Sequence, residues 1–573
     1  MKTLFYQIVI ALVLTGFFSC NDVLDIEDLG SYSPDNVWND EKLSTAYLSN
    51  LYANTLGGWP VNMGLFADET SGILGSEAIQ PNKGSFKIWP YEAIYKINLM
   101  LEGMEDGTLS EELKARFKAE ALFLRAYNYF ESLMVHGGIP YITYVQQQGV
   151  DDLNVKRNSS AECFDFIIKD LDYAIANLPE VNRNDAYGRI DASAALAFKA
   201  KVLLYKASPQ FNPVSLYNNA YVNEAYEANK LAYETLLNRG YKLLDDYTDV
   251  FETKGHMEAV IAVIFNNPNK LDGRGEQVCR PLSESKDETG GDQPIWSLVE
   301  AYPMKDGKKI GESTKYPYDL QTYWKDRDPR FEASLVWNGS VFELSGKVGR
   351  RQYTVFQIAS IDDAFCMESA GYNRTGFYPR KGIMESNPQA EVRNNDFDWL
   401  EMRFAEVMFN YAEIACAKNM TDIGYDVLKQ IRKRAGIEPG EDNMYGLKSN
   451  MNPTEMRNAL LDEKRIEFTF EGQRFWDLRR NRMFSVIDGI RKYGLEGTYK
   501  GEITQDVQQR ANRYELLPED FTYHVQETYS GGEKVMSLPD TYYFFPVEQK
   551  SIEQNENLEQ NKDWGGTFNP ALE

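Results

Sequence analysis

Histidine and cysteine are scarce in this chain, three and five among 573 residues. Zinc sites and histidine-activated nucleophiles draw on those residue types, so His136, His256 and His524 leave little material for either chemistry. Basic charge is also in deficit. Asp and Glu outnumber Lys and Arg by 86 to 61, a formal charge of −25. That balance argues against non-specific nucleic-acid binding, because neutralising phosphates needs a basic surface. The chain carries no Gly-x-Ser-x-Gly elbow, no phosphate-binding loop, no His-Glu-x-x-His and no dinucleotide-binding glycine fingerprint. The acids at 105–107 and 394–401 lack the ligand spacing of a calcium loop. No metal, no cofactor and no catalytic residue are therefore expected. Aromatic surface, by contrast, is plentiful: 9 Trp, 36 Tyr and 30 Phe.

Long apolar runs are missing too, apart from Leu4–Phe18, which follows Lys2 and is interrupted by Gln7, Thr15 and Gly16. A spanning helix needs about 20 apolar residues, so residues 1–19 read as a cleaved signal peptide. Ser19 and Cys20 close the run. A lone Cys at that place resembles a bacterial lipoprotein signal, in which Cys20 becomes the acylated first residue, carrying chains such as palmitate. Phe17 and Phe18 depart from the small residues usual there. Stable anchoring takes more than one chain, so a multiply acylated Cys20 is expected to hold the body on a membrane. Of the four remaining cysteines, Cys163 and Cys416 fall in helix-like stretches as core thiols, and Cys279 and Cys366 are candidates for a bridge.

Length alone suggests about three or four cores. Apolar periodicity predicts helices over about 92–104, 111–135, 159–178, 190–207, 221–238, 399–418, 422–435 and 454–470, with short strands near 258–265 and 340–344. Between about 266 and 398 the pattern dissolves into Gly, Asn, Pro and aromatics, too long for a simple connection. A spacing of small, large and small residues at i, i+4 and i+7 recurs: Ala119, Phe123, Ala126; Ala200, Leu204, Ala207; Ala405, Phe409, Ala412. It places the three on one helix face, so that a second helix can approach closely, the packing of tetratricopeptide-type helix pairs. The related Leu171, Ala174 and Pro179 add a helix-stopping proline. With no fixed period, the helix pairs are expected to stack in space across insertions in sequence. The fold class is mainly α: tetratricopeptide-like helix pairs forming an α-α superhelical scaffold, with a long irregular part. One body, 20–573, divides into an N-terminal part to about 265, an irregular insertion over about 266–398 and a C-terminal helical part from about 399.

Several segments in order resemble the SusD/RagB family of outer-membrane lipoproteins: FLRAYNYF at 123–130, DGKKI at 306–310, DRDPRF at 326–331, MRFAEVMFNYAEIA at 402–415, RKRAG at 432–436, LDEKRIEFTFEGQRFWDLRR at 461–480 and YYFFPVEQKSIEQNENLEQN at 542–561. The resemblance implies four tetratricopeptide-like helix pairs, an irregular part carrying the ligand site, and no enzymatic activity. It also implies a lid on a SusC-like TonB-dependent β-barrel at the outer membrane, capturing oligosaccharides or, in some members, peptides.

In RIEFTFEGQRFWDLRR, Glu467 and Glu471 are close enough on a helix for an acid–base pair, but the surrounding arginines favour ionised carboxylates in a structural network. A secreted glycoside hydrolase is the rival class. Sugar rings have apolar faces that lie on aromatics and hydroxyls that need polar partners. Four loop-like segments combine these: GGWPVNMGLFADET with Trp59, Asp68 and Glu69; QPIWSLVEAYP with Trp296 and Tyr302; KYPYDLQTYW with Tyr316, Tyr318 and Trp324; SAGYNRTGFYPR with Tyr372, Asn373 and Arg380. For each aromatic a place in the core is the competing reading, and Trp296 in particular is a candidate loop anchor. Trp89, Tyr91 and Tyr95 are assigned to packing.

Overall fold

The computed structural model describes residues 34–72, 86–271, 274–286, 290–354, 373–528 and 535–573. Residues 1–19, expected to be a signal segment, and Cys20, Cys366 and Tyr372 lie outside the described residues. The main helices are α1 Glu41–Thr55, α2 Tyr91–Asp106, α3 Glu111–His136, α4 Ser160–Asn177, α5 Ala192–Ala207, α6 Val222–Asn238, α7 Phe404–Ala417, α8 Thr421–Arg434, α9 Pro453–Glu467 and α10 Gln473–Arg480. Short strands are β1 Thr70–Ser71, β2 Ala259–Val263, β3 Gln293–Pro294, β4 Trp399–Arg403, β5 Tyr493–Tyr499 and β6 Phe521–Glu527.

Local chemistry starts several helices where the sequence places them. Asp40 caps α1 through Leu43 N, Ser110 caps α3 through Leu113 N, and Asp191 caps α5 through Ala194 N. Ser159–Glu162 and Asn452–Glu455 form reciprocal capping boxes at α4 and α9. Each helix then packs on the next: α3 on α4, α4 on α5, α5 on α6, α6 on α7, and α7 on both α8 and α9. The α6–α7 contact bridges the whole insertion, so the stack is continuous in space and not in sequence. All nine residues of the three small-large-small triplets are buried. Arg125 of α3 grips Asp170 of α4 through two bonds of 2.8 Å. Gly424 lets α8 close onto α9, because a Cβ there would meet Met456 at 2.6 Å. The mainly helical, tetratricopeptide-like architecture is as expected.

Two predicted boundaries shift. Residues 399–403 form strand β4 against β2, pairing Val263 with Trp399 and Ala259 with Arg403, because a buried tertiary partner overrides the helical pattern. The helix expected to reach 470 ends at Glu467, where Phe470 and Gly472 take positive φ of 63° and 73° and turn the chain into α10. Of the strand near 340–344, only Ser340–Val341 forms, paired with Arg351–Gln352. Helix α1 and the long hairpin β5–β6, which pairs Tyr493 with Glu527 and Tyr499 with Phe521, were not anticipated.

The stack surrounds one large apolar core, and a second, aromatic core of Trp296, Tyr302, Tyr323, Trp337, Phe377, Phe521 and Tyr523 lies under the loops. A C-terminal strap, residues 542–573, covers the end of α3. Helix C-termini leave their last carbonyls without helical partners, and here the strap and Arg side chains supply them. Arg479 donates to Met134 O and Val135 O (2.7 and 2.9 Å), Phe545 N to Val135 O (2.9 Å), and Arg157 and Asn561 to His136 O (2.9 and 3.0 Å). Cys163 and Cys416 are buried free thiols, pushed up to about 12 by burial. Cys279 is buried as well and takes a hydrogen bond from Arg274 Nη1 (3.2 Å); Cys366, its candidate bridge partner, lies outside the described residues.

Candidate ligand face

Most of the loop aromatics singled out in the sequence are structural. Trp59 is buried between Phe251 and Trp399, with ring centroids 4.5 and 5.0 Å away, and closes the seam against Gly382. Gly382, at φ +75°, has no room for a Cβ, which would sit 2.7 Å from the Trp59 ring. Trp296 begins a short helix, Trp296–Ala301, and with Tyr302 belongs to the aromatic core. Tyr302 donates to Thr469 Oγ1 (3.0 Å). Trp324 lies flat on Trp337, centroids 5.1 Å apart at 13°, and Tyr318 packs against the same core. Tyr316 sits apart, donating to Glu438 (2.6 Å) beside Lys315. Arg380 pairs with Glu385 (2.8 Å). Asn373 is buried and builds its own turn: Oδ1 accepts from Thr375 N and Gly376 N, and Nδ2 donates to Phe377 O. Of the three residues assigned to packing, Tyr91 donates to Pro140 O (2.7 Å) and Trp89 is half-buried, but Tyr95 is 46% exposed.

Asp68 and Glu69 also serve the framework, with opposite protonation. Burial works against charge on Asp68, but Arg465 and Arg474 outweigh it and hold the carboxyl well below the usual range. Arg474 binds it through two bonds, 2.9 and 3.1 Å. Glu69 next to it has no such bond, and burial pushes it up to about 8 against the attraction of Arg465. Ser297 Oγ and Ile295 N donate to the carbonyls of Asp68 and Glu69, joining this segment to the start of the Trp296 helix.

Glu467 and Glu471 do not form an acid–base pair. Arg403 Nη1 contacts Glu467 and Glu258, both at 2.8 Å, and its Nε contacts Glu471 at 2.9 Å. Arg434 and Arg330 also reach Glu467, and Lys381 reaches Glu471. Burial opposes ionisation of Glu467, yet the cations around it hold its carboxyl far below the usual range. A general acid needs a raised pKa; this node is an ionic joint where β4, α8, α9 and the loops meet.

The rim that this framework carries was not legible as a motif. Strand β1 pairs Ser71 with Gln293 of β3. Gln293 Oε1 accepts from Arg374 N (3.1 Å), and Thr375 O accepts from Leu495 N of β5 (2.8 Å). Lys492 Nζ donates to Leu65 O and Thr70 O (both 2.8 Å), while Lys492 O accepts from Thr528 N (3.0 Å). The β1–β3 ladder, the 373–377 turn and the β5–β6 hairpin are thus fastened together at one place. Gly494 is required there, since a Cβ would lie 2.6 Å from Thr375 Cα. Beside it Tyr493 is 40% exposed, and across the strand Glu527 pairs with Arg491 at 2.6 Å. An uncovered ring next to a carboxylate and a guanidinium offers a stacking surface with hydrogen-bonding groups of both kinds.

The sequence profile of the SusD family matches residues 255–564, more than half of the chain. This protein belongs to the SusD family. A second profile, described as starch-binding associating with outer membrane, matches residues 71–204. A SusD-like protein of Formosa agariphila is 22% identical over 499 residues, covering 82% of this chain and 90% of that one. Among solved structures, a SusD-like protein of Bacteroides fragilis superposes with a TM-score of 0.71 at 23% identity, covering 92% and 98% of the two chains. A SusD-like carbohydrate-binding protein of the same species gives 0.68 at 22%, covering 91% and 99%. A laminarin-binding SusD-like protein gives 0.52 at 18%, covering 91% and 99%. The SusD-family match takes in β4, the ionic joint, β5–β6 and most of the strap. A strand signal for the hairpin existed in KYGLEGTY and FTYHVQE, where Leu495 and Tyr523 face the core and Glu496 and His524 do not.

Proposed function

We propose that this SusD-family chain is a surface lipoprotein that binds glycans and passes them to a SusC-like TonB-dependent β-barrel, with Cys20 acylated as its outer-membrane anchor. The observation that carries the reading is the exposed Tyr493 beside the Arg491–Glu527 pair, on a rim fastened by Gln293, Arg374 and Lys492. Supporting it are the starch-binding, outer-membrane description of the profile over 71–204 and the carbohydrate- and laminarin-binding descriptions of two structural neighbours. The role is capture without turnover: Glu467 and Glu471, the carboxylates that the sequence offers as an acid–base pair, are locked in ion pairs. Among the described residues no helix is long and apolar enough to cross a membrane, which fits attachment through a lipid.

Isothermal titration with α- and β-glucan oligosaccharides, a wider glycan panel and a peptide panel tests the reading. Saturable glycan binding, weakened at least about tenfold by Tyr493→Ala (about 1.4 kcal/mol), is expected. Binding of peptides alone would place the chain with peptide-capturing relatives, and release of reducing sugar would make it a hydrolase. Cys20→Ala is expected to leave a folded, ligand-binding protein that no longer fractionates with membranes, and detergent extraction of the native protein to bring down a β-barrel.

A further inference from the structure

We propose that the groove between the start of α2 and the C-terminal strap is a second ligand site, which takes a neutral sugar ring against Trp89 and Trp564 and receives one of its hydroxyls on His136 Nε2. It shares with the proposed function only the class of ligand. The groove has a volume of 500 Å³ and is lined by Trp89, Trp564, His136, Gln549, Gln560 and Ile552, among others; pockets of this size hold small ligands. None of these residues belongs to the rim around Tyr493.

His136, the last residue of α3, is 3% exposed. Its Nδ1 lies 3.2 Å from Phe545 O, and its Nε2 is buried without a hydrogen-bond partner. Burial, outweighing the pull of the Phe545 and Pro546 backbone and aided by Arg157 and Arg479 nearby, drives the ring down to about 3, so it is neutral at physiological pH. With the Nδ1 proton directed at a carbonyl, Nε2 presents a lone pair. A buried acceptor left unmade costs about 1–3 kcal/mol. The walls are built as well. Trp89 meets the His136 ring edge-on, centroids 5.8 Å apart at 83°, and Trp564 is fixed by its Nε1–H bond to Phe544 O (2.7 Å). Both indoles are half-buried. Gln560 is held by Val547 through both ends of its amide, and Lys87 pairs with Glu548 at 2.8 Å.

These features select the occupant. A simple carboxylate has no proton to give to Nε2, and a cation is opposed by Arg157 and Arg479. A sugar ring supplies both a hydroxyl donor and an apolar face for indole. A second site on the same body would also make a long glycan bind more tightly than either site alone allows.

The test uses the full chain with its nine indoles ¹⁵N-labelled, the signals of Trp89 and Trp564 assigned through Trp89→Phe and Trp564→Phe. Glucose, galactose, mannose and xylose are each titrated to their solubility limit. At least one is expected to shift both indoles saturably, with the shifts unchanged in Tyr493→Ala. His136→Phe is expected to weaken that binding about two- to tenfold, and Trp89→Leu about two- to tenfold, with both variants still folded; should His136→Phe fail to fold, Trp89→Leu decides. Absence of any shift at either indole with all four sugars overturns the site, as does loss of the shifts in Tyr493→Ala. Shifts at Trp89 and Trp564 without any glycan binding at the rim would instead sink the proposed function and leave this site standing.

Discussion

The helical stack and the loop-rich part solve the same problem, satisfying buried backbone, in different ways. In the stack the helices bond their own backbone along their length, so Ala and Phe at helical spacing fill most of the space, and arginines such as Arg125 and Arg479 act at single joints and helix ends. In the loops few residues lie in a ladder, and buried arginines take over the bonding. Arg327 donates to the carbonyls of Tyr323, Val299 and Tyr302 (2.7, 2.6 and 2.6 Å), and Arg280 to those of Met384 and Asn387 (2.8 and 2.9 Å). Arg274, Arg280, Arg330 and Arg403 rank among the largest fully buried side chains. A guanidinium with five donors can replace several missing ladder bonds, provided that carboxylates balance its charge. The ionic joint at Arg403 is where the two solutions meet.

The most severe way to break this contrast is at that joint. Arg403→Met leaves Glu258, Glu467 and Glu471 short of a shared cation, and a loss of about 3–5 kcal/mol in urea unfolding is expected. A loss below about 1 kcal/mol would show that the two regions are held together elsewhere. Next, Phe123→Ala in the stack is expected to cost about 3–5 kcal/mol, whereas Trp324→Ala, half-exposed on Trp337, is expected to cost about half as much. Equal losses would mean that the loop core is as closely filled as the stack.

A pH series sharpens the comparison within one dipeptide. Asp68 is depressed in the fold, so its contribution is present above its unfolded pKa and is lost as pH falls through the acid range. Glu69, raised to about 8 from 4.5, has the opposite sign: the unfolded state ionises first, and stability falls as pH rises between those values. Glu69→Gln is therefore expected to be more stable than the parent at pH 8, with the gap closing toward pH 5. A gap independent of pH would show that Glu69 is ionised in the fold. The smallest stability change is expected at the rim, where Tyr493→Ala should stay within about 0.5 kcal/mol while weakening glycan binding.

The stack was legible because its signals are local: Ser110, Ser159 and Asp191 cap helices, and Ala119, Phe123 and Ala126 repeat at helical spacing. The ionic character of Glu467 and Glu471 was legible too, from the arginines beside them. The loop segments were legible as aromatic and polar, but not as core or surface. Trp296, Tyr302 and Trp324 converge from separate stretches on Trp337, Phe377 and Tyr523, and no single stretch records that. The place of Tyr493 on the rim is not local either, since the strand that carries it is fastened by Thr375 and Gln293, both distant in sequence.

The strap over α3 bears on the order in which the molecule assembles. Asn561 and His136 are 425 positions apart, and Ser160 Oγ donates to Pro570 O across 410. Closing such separations comes late, after the local helices have formed. Until the strap is in place, α3 therefore has an unsealed end whose carbonyls depend on water. Under the proposed export, this delay would keep the chain in a loosened, threadable state until the strap closes over α3.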